Sequence, residues 1–230
     1  MIDGIAPGED IRAVRFQGDL GYLVTFQVVT QMDPLFVVDL ADPVHPVLRG
    51  ELHIPGFSTY LHMLDADHLL GIGFDSDGWD GWFQSVVLQV MDVGDLDAPS
   101  LLHKEEIGTR GSASDAAVNH LAFNYHAPRQ LLAVPLLICE DSDSYGSRVS
   151  FDGLRVYQVT PEDGFTLLGG IPHSEPRELG WSDCGSWWSQ SSSPVERSVF
   201  LEDWVFSIAA DKIQVAPLAD LATPAVTIPR

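Results

Sequence analysis

Apolar and polar residues alternate in short runs along the whole chain. Residues 33 to 56, DPLFVVDLADPVHPVLRGELHIPG, hold two apolar runs separated by an Asp-Pro step. The first run, PLFVVDL, has the length of a strand and is rich in β-branched and aromatic residues. Asp42 and Pro43 suit the first two positions of a turn, and HPVLRGELHI then resumes the alternation. This pattern predicts a strand, a tight turn and a second strand.

The same unit recurs, so that the chain contains four copies. The other three are SVVLQVMDVGDLDAPSLLHKEEIG, GLRVYQVTPEDGFTLLGGIP and KIQVAPLADLATPAVTIP. A hairpin-like pair of runs precedes each copy: AVRFQGDLGYLVTF, YLHMLDADHLLGIGF, VNHLAFNYHAPRQLLAVPLL and SVFLEDWVFSIAA. The period is therefore four short strands in roughly 45 to 55 residues, near the range of propeller blades. No segment shows convincing helical periodicity.

The sequence thus predicts an all-β fold, a β-propeller segment over residues 1–230 with four four-stranded antiparallel blades. The predicted blades are approximately 14–56, 58–108, 114–173 and 195–229. A β-sandwich is the alternative, although sandwiches do not normally repeat one turn chemistry four times. Four blades are expected to be part of a larger propeller, whose first and last blades would expose apolar faces here. Upstream blades or a second copy of the chain would cover those faces.

Charge excludes one class of partner. The chain has 33 acidic and 12 basic residues, for a formal charge of −21, so nucleic acid is not expected to bind. The acidity serves solubility or, alternatively, cation binding. The longest clean apolar run, LLAVPLLIC, is far shorter than the roughly 20 residues of a transmembrane helix. The start, MIDGIAPGEDIRAVRF, carries no export signal, which would have to lie upstream.

Several stretches resemble a known family. They are GIAPGEDIRAVRFQGDLGYLVTF, DPLFVVDLADPVHPVLRGELHIPGFSTYLHML, HLLGIGFDSDG, GTRGSASDAAVNHLAF and RSVFLEDWVFSIAADKIQV. They are similar to the C-terminal part of the bacterial secreted β-propeller family distantly related to WD-repeat proteins, and LFVVDLADPVHP is also similar to LVIVD-type repeats. The resemblance implies a propeller, further blades upstream, and a secreted, periplasmic or cell-envelope location. It brings no catalytic residue.

Loop length distinguishes the two faces of such a propeller. With strands A to D numbered from the axis outward, B–C loops and D-to-A connections emerge on one face and the other turns on the opposite face. The A–B and C–D turns are mostly tight. The long links are QVVTQMDP, FDSDGWDGWFQ, CEDSDSYGSRVSFDG and HSEPRELGWSDCGSWWSQSSSPVER. Binding residues concentrate on long loops of rigid scaffolds, so this long-loop face is the predicted binding surface.

Tryptophans concentrate on the predicted long-loop face. Trp79 and Trp82 lie in the second B–C loop, and Trp181, Trp187 and Trp188 lie in the connection after blade three. Their rings could bind a protein, peptide or glycan, because flat amphipathic rings supply contact area with a polar handle. Alternatively, they fold back over blade edges and close gaps between sheets.

Two further features map to the long-loop face. Cys139 and Cys184 are expected to form a disulfide that pins the Trp-rich connection, if the protein is exported; two buried thiols are the alternative. Asp75, Asp77 and Asp80 in the acidic loop could bind calcium through carboxylate oxygens. Their spacing misses the EF-hand pattern, and a solvated turn is the competing interpretation. No cofactor is expected apart from this possible Ca²⁺.

The mouth of the axial channel is the other candidate site. His62 and His120 are expected at matching places in strand A of blades two and three, with Asn119 beside the latter. Polar residues repeated around a propeller mouth could bind a ligand or a metal, or they could only fill the channel. Ser112, Ser114 and Asp115 precede His120, but no GxSxG elbow supports a catalytic triad.

These features favour an extracytoplasmic binding or scaffold module that uses the long-loop face for a protein, peptide or glycan ligand. One alternative is an enzyme, with or without a metal ion, that has its site around His62 and His120. The other is a purely structural assembly domain of the envelope. The fold itself does not choose among these functions.

Overall fold

The computed structural model describes residues 4–26, 32–76, 83–140, 148–178, 184 and 194–230. These residues form seventeen strands and three short 3-10 helices. The strands assemble into four antiparallel sheets in chain order, which confirms the prediction of four four-stranded sheets. Two compact units result, Met1–Glu106 and Ile107–Arg230.

Unit 1 contains sheets 1 and 2, each with its strands in sequence order. The strands of sheet 1 are β1 Asp10–Gln17, β2 Leu20–Phe26, β3 Met32–Asp39 and β4 Val47–Pro55. The strands of sheet 2 are β5 Phe57–Met63, β6 His68–Ser76, β7 Phe83–Asp92 and β8 Ser100–Ile107.

Aspartate side chains hold the turns between the third and fourth strands of these sheets. In sheet 1, Oδ1 of Asp39 accepts from the amide of Ala41 and Oδ1 of Asp42 accepts from the amide of Val44. In sheet 2, Asp92 and Asp95 accept in the same way from amides two residues further on. Such side-chain-to-backbone bonds mimic a backbone turn. The predicted acidic turn is thus confirmed in both sheets.

The facing sides of sheets 1 and 2 pack closely. The rings of Phe26 and Phe57 lie 4.9 Å apart. A Cβ on Gly50 of β4 would lie 2.5 Å from the carbonyl oxygen of Leu96, so this position of sheet 1 accepts no side chain. Nε of Arg49 donates to Oδ1 of Asp97 at 2.8 Å across the same junction. Apolar burial and one ion pair therefore join the two sheets of unit 1.

Unit 2 contains sheets 3 and 4. The strands of sheet 3 are β9 Asn124–His126, β10 Leu131–Glu140, β11 Arg148–Thr160 and β12 Gly164–Pro172, and the short β13 Arg177–Glu178 also pairs with β11. The strands of sheet 4 are β14 Val195–Leu201, β15 Trp204–Ala209, β16 Lys212–Pro217 and β17 Val226–Pro229.

The first strand of sheet 3 is shorter than the sequence pattern predicts. The run VNHLAF was expected to be extended, but Asp115–Ala117 and His120–Ala122 are 3-10 helices, and a third covers Ala127–Arg129. The side chains of Ser114 and Asn119 cap the first two by accepting from amides two residues ahead. Such local bonds offer the backbone an alternative to a sheet ladder. Extended pairing therefore begins only at Asn124.

The core of unit 2 lies between its two sheets. Leu154, Val156 and Ile171 of sheet 3 form one buried cluster with Val205 and Ala216 of sheet 4. Residues directly opposite each other in paired strands point to the same side of a sheet. The side of sheet 4 that carries Val205 and Ala216 is therefore the side that faces sheet 3.

The helices found in the described residues are too short and too polar for any of them to cross a membrane.

Replacing Gly73 by Ala should lower the free energy of unfolding. A Cβ at this position of β6 would lie 1.8 Å from the backbone oxygen of Phe57, and overpacking of this kind costs about 1–3 kcal/mol. Gly94→Ala is the control, since its Cβ would meet flexible side-chain atoms at 3.2 Å and beyond. Denaturant titration of both variants measures the difference, and equal losses would contradict the prediction.

Candidate functional site

One end of the sheets of unit 2 corresponds to the predicted long-loop face. There β10 ends at Glu140 beside the start of β11, and β12 ends at Pro172 opposite Gly153. In sheet 4, β15 ends and β16 begins at the same end. We call this the long-loop edge of unit 2. The loops 141–147 and most of the 179–193 connection lie outside the described residues.

A disulfide joins Cys139 to Cys184 at the long-loop edge. The S–S distance is 1.98 Å and the Cα atoms are 6.1 Å apart. Both cysteines are buried in a cluster with Leu137 and Val149. The bond ties the connection after β12 to the end of β10. Every residue of that strand before Glu140 is buried.

The segment between β8 and the first 3-10 helix packs against this disulfide. The carbonyl oxygen of Cys139 accepts from the amide of Thr109 at 2.8 Å and from its hydroxyl at 2.9 Å. A Cβ on Gly111 would lie 2.0 Å from the carbonyl oxygen of Cys184. Gly111 also has a φ of +98°, which side chains rarely allow. Cys184 is therefore held by a covalent bond and by a backbone approach that only glycine permits.

His173 links sheets 3 and 4 at the same edge. Its Nε2 lies 2.8 Å from Oγ of Ser207 in β15, and its amide donates to the carbonyl oxygen of Asp152 in β11 at 2.8 Å. Nζ of Lys212 donates to the carbonyl oxygen of His173 at 3.0 Å. The residue directly after β12 thus contacts three strands, two of them in sheet 4.

The carboxylate of Asp152 organises the polar groups around His173. Its Oδ2 accepts from the hydroxyl of Ser174 at 2.8 Å and from Nη1 of Arg177 at 3.5 Å. Nη1 of Arg177 also donates to Oγ of Ser174 at 2.9 Å. A Cβ on the neighbouring Gly153 would lie 2.2 Å from the carbonyl oxygen of Ile171. The cluster therefore depends on a tight approach of β11 and β12.

Burial keeps the imidazole of His173 neutral at physiological pH. Its pKa falls to about 4, first because burial disfavours the charged ring and second because the ammonium group of Lys212 is near. A neutral histidine beside a serine hydroxyl is the arrangement of an activated nucleophile. Ser207 is, however, 0% exposed, so a substrate has no access to its hydroxyl. We interpret the pair as a contact that joins the sheets.

Three buried atoms of this region keep free hydrogen-bonding capacity within the part of the chain that the structure describes. They are Nδ1 of His173, Oδ1 of Asp152 and Oε1 of Gln214. The imidazole nitrogen and the carboxylate oxygen are also the two atoms of the cluster that could coordinate a metal ion. Across the described ranges, no group of three or more His, Cys, Asp or Glu side chains is placed to hold a metal ion.

The residues predicted at the channel mouth do not occupy matching positions. His62 lies in β5, where burial and then the charge of Arg15 lower the pKa of its imidazole. His120 is exposed and belongs to a 3-10 helix rather than a strand, so the expected equivalence is wrong. Asn119 caps that helix by accepting from the amide of Leu121, and its Nδ2 donates to Asp115. The local capping bonds decide this difference.

The serines near His120 are engaged with the backbone. Oγ of Ser112 accepts from the amide of Cys139 at 2.9 Å, and Oγ of Ser114 donates to the carbonyl oxygen of Pro135 at 2.6 Å. Oδ2 of Asp115 accepts from Asn119. These bonds explain the three side chains structurally and give no support to a hydrolytic triad.

Asp75 has a cationic partner from its own unit. Its Oδ1 accepts from Nζ of Lys104 at 2.6 Å, and the same ammonium group contacts Glu106 at 2.8 Å. Burial raises the pKa of Asp75 against the opposing effect of Lys104. A calcium ion here would compete with that ammonium group. Asp77 and Asp80 lie outside the described residues, so the calcium site stays a prediction.

The tryptophans predicted to form an aromatic surface, Trp79, Trp82, Trp181, Trp187 and Trp188, also lie outside the described residues. Trp204 is described and is 40% exposed. It is the first residue of β15, so it lies at the end of the strand away from the long-loop edge.

Sequence reasoning missed the His173 cluster. Ser207 and Gln214 interrupt apolar strands at positions that face sheet 3, and that interruption was the available signal. The partner of Ser207 is 34 residues away, so no local pattern could identify it.

Comparison with known proteins gives one family match and several relatives. A family model described as "Beta propeller domain" matches residues 1–221. An uncharacterised protein of Archaeoglobus fulgidus is 38% identical over 190 residues, which is 81% of this chain and 28% of that protein. An uncharacterised protein of Methanocaldococcus jannaschii is 40% identical over 106 residues, 46% of this chain and 16% of that protein. The chain therefore spans less than a third of either relative.

Two solved structures resemble the chain more distantly. A functionally unknown protein from Desulfotomaculum acetoxidans has 9% identity and a TM-score of 0.39, covering 98% of this chain and 72% of its own. The Nup133 β-propeller domain of Vanderwaltozyma polyspora has 10% identity and a TM-score of 0.37, covering 93% of this chain and 54% of its own. Neither likeness bears on activity.

Removing the disulfide should destabilise unit 2. Changing Cys139 and Cys184 together to Ala opens a link between residues 45 apart and should lower the free energy of unfolding by about 2–4 kcal/mol. Denaturant titration with and without reductant measures this. Reductant should destabilise the natural chain and leave the double variant unchanged; a natural chain that stays equally stable after its thiols are shown to be free would contradict the prediction.

His173 should make stability fall between pH 6.5 and pH 4. Its pKa drops from 6.5 to about 4 on folding, so over this interval the unfolded chain binds the proton more tightly and acid favours unfolding. The free energy of unfolding is unaffected by this histidine above pH 6.5, and by pH 4 protonation of the unfolded chain has lowered it by about 3 kcal/mol. His173→Gln should remove this loss, whereas the exposed control His120→Gln should retain it. Parallel curves for the natural chain and His173→Gln in denaturant titrations would refute the assignment.

Proposed function

The chain belongs to the β-propeller domain family, and on that premise we propose that it is a binding and scaffold module that holds a protein, peptide or glycan at its long-loop edge. A propeller fold hosts many functions. The proposal therefore rests on the residues of the long-loop edge and not on the fold.

The disulfide carries the proposal. Cys139 and Cys184 fix the connection after β12 to a fully buried strand, and Gly111 closes against the carbonyl oxygen of Cys184. A connection that only linked two sheets would need no such anchor. Binding surfaces gain affinity when their loops are ordered before the ligand arrives. Anchoring this connection at Cys184 therefore provides the order that a binding loop requires.

The residues that follow the anchor suit recognition. Trp187 and Trp188 come three and four positions after Cys184 in the sequence. Aromatic side chains supply much contact area for little conformational entropy, and they dominate the energetics of many binding surfaces. The sequence therefore places candidate contact residues directly after the structural anchor.

The polar groups beneath the edge favour binding over catalysis. Ser207 and His173 form a serine–histidine hydrogen bond, but the hydroxyl of Ser207 is fully buried. His62 and His120 belong to different units, one in a strand and the other on a 3-10 helix. The cluster around His173 instead stiffens the base on which the loops stand.

The disulfide also supports an extracytoplasmic location. Disulfides persist mainly in oxidising environments such as the periplasm, the cell surface and the medium. We extend the proposal accordingly to a secreted or cell-envelope protein.

A ligand screen tests the proposed surface. The intact chain is melted with and without each member of a glycan and peptide panel, and at a concentration of about 100 times the Kd a ligand adds about 2.7 kcal/mol of stability. Changing Trp187 and Trp188 to Ala should abolish the shift. Trp204→Ala is the matched control, because Trp204 lies at the opposite end of β15, and it should keep the shift. A panel without any shift, or a shift lost only in Trp204→Ala, would overturn the proposal.

The same melts include calcium and a chelator. A midpoint raised by calcium and lowered by chelator would support the acidic-loop site at Asp75, Asp77 and Asp80, and a midpoint unmoved by either would remove it.

A further inference from the structure

Three buried atoms at the long-loop edge of unit 2 have no hydrogen-bonding partner among the residues that the structure describes. They are Nδ1 of His173, Oδ1 of Asp152 and Oε1 of Gln214. His173 is 9% exposed and Asp152 is 5% exposed, so bulk water does not solvate either group. Most buried polar atoms in native proteins are paired with protein groups or with ordered water. A bound partner is therefore expected at these atoms.

The two groups of sheet 3 point toward sheet 4. Asp152 comes two residues before Leu154 in β11, and Leu154 belongs to the apolar cluster between the two sheets, so both side chains lie on the same side of sheet 3. The amide of His173 donates to the carbonyl oxygen of Asp152 at 2.8 Å. Nε2 of His173 lies 2.8 Å from Oγ of Ser207 in sheet 4. The imidazole and the carboxylate are thus neighbours on the side that faces sheet 4.

Gln214 belongs to the opposing side of sheet 4. It comes two residues before Ala216 in β16, and Ala216 is part of the same apolar cluster, so the side chain of Gln214 points toward sheet 3. Gln214 pairs with Ser207 of β15. Two residues before Gln214, Nζ of Lys212 donates to the carbonyl oxygen of His173 at 3.0 Å. Gln214 is therefore flanked by two residues that contact His173.

The three atoms are neighbours by strand register, but they make no hydrogen bond with one another. Polar groups that face each other beyond the reach of a direct hydrogen bond are commonly bridged by water. A buried water typically makes about three hydrogen bonds to groups that are otherwise unpaired. The three atoms, on facing sides of two packed sheets, match that number.

The charges around these atoms favour a neutral occupant. Nη1 of Arg177 donates to Oδ2 of Asp152 at 3.5 Å, and the ammonium group of Lys212 acts on the imidazole of His173. The carboxylate of Asp211 acts on the same imidazole with the opposite sign. Two cations and two carboxylates thus offset each other. A metal ion would add positive charge beside Lys212, and an anion would meet two acceptor oxygens.

We infer that one water molecule binds between sheets 3 and 4, where it accepts from Nδ1 of His173 and donates to Oδ1 of Asp152 and Oε1 of Gln214. This arrangement fixes the tautomer of His173. A neutral imidazole has one N–H, and Nδ1 must carry it, because a water donates two hydrogens and cannot serve three acceptors. Nε2 then accepts from the hydroxyl of Ser207. The water links the two sheets beneath the loops, and its binding does not depend on what the long-loop edge holds.

Nitrogen NMR of the intact ¹⁵N-labelled chain at neutral pH tests the tautomer. The ring signals of His173 are identified by their loss in His173→Gln. They should show a ring that is protonated at Nδ1 and unprotonated at Nε2. A ring protonated at Nε2 would overturn the inference, because Nδ1 would then be a third acceptor. The spectrum is repeated with a chelator and should stay the same; a shift of the His173 signals would show a bound metal ion in place of water.

A high-resolution crystal structure of the natural chain locates the water directly. It should show one ordered water within about 2.5–3.2 Å of the three atoms. Well-ordered side chains of His173, Asp152 and Gln214 without that water, or with their atoms bonded directly to one another, would refute the site.

A substitution tests the contribution of the amide group. Gln214→Leu removes one of the three partners of the water and keeps the hydrogen bond between His173 and Ser207, so the residence time of the water should shorten about five- to tenfold. Oxygen-17 relaxation dispersion measures this residence time, and circular dichroism verifies that each variant is folded. Gln158→Leu is the matched control, because Gln158 is exposed near the other end of β11, and it should leave the residence time unchanged. An equal residence time in folded Gln214→Leu and in the natural chain would contradict the three-partner site.

Discussion

The burial of one apolar sheet side against the next is the interaction on which the rest of the structure depends. Within each unit, each sheet is apolar on the side that meets its partner, and exposure of such a side to water is unfavourable. In unit 2, Leu154 and Ile171 meet Val205 and Ala216. In unit 1, Gly50 lets the turn at Leu96 approach to a distance that excludes a side chain. The units are therefore defined by pairs of sheets.

The same packing creates the polar contacts of the long-loop edge. His173 and Ser207 belong to different sheets and meet because the apolar cluster holds those sheets together. Once buried, the imidazole must remain neutral, which ties its protonation to the integrity of the sheet junction. The edge is thus a rigid base held by a buried disulfide, and this combination distinguishes it from the tight turns at the other ends of the strands.

Three of the twelve basic residues of this acidic chain lie at junctions between sheets. Arg49 pairs with Asp97 between sheets 1 and 2, and its guanidinium pKa is raised by that partner. Nη1 of Arg129 donates to the carbonyl oxygen of Glu202 between the first turns of sheets 3 and 4, at 2.6 Å. Lys212 reaches the backbone of His173. Exposed ion pairs contribute little stability individually, so their role is to fix which surfaces meet.

The sequence by itself determined the strands, their order and the acidic turns, because alternation and turn chemistry are local properties that a run of ten residues expresses. Asp42 and Asp95 sit in their turns for this reason. Only the tertiary structure decided that Asp75 pairs with Lys104 and that His173 meets Ser207. The two pairs join residues 29 and 34 positions apart. Strand register and sheet packing bring such groups together, and neither is written in the pattern of a single segment.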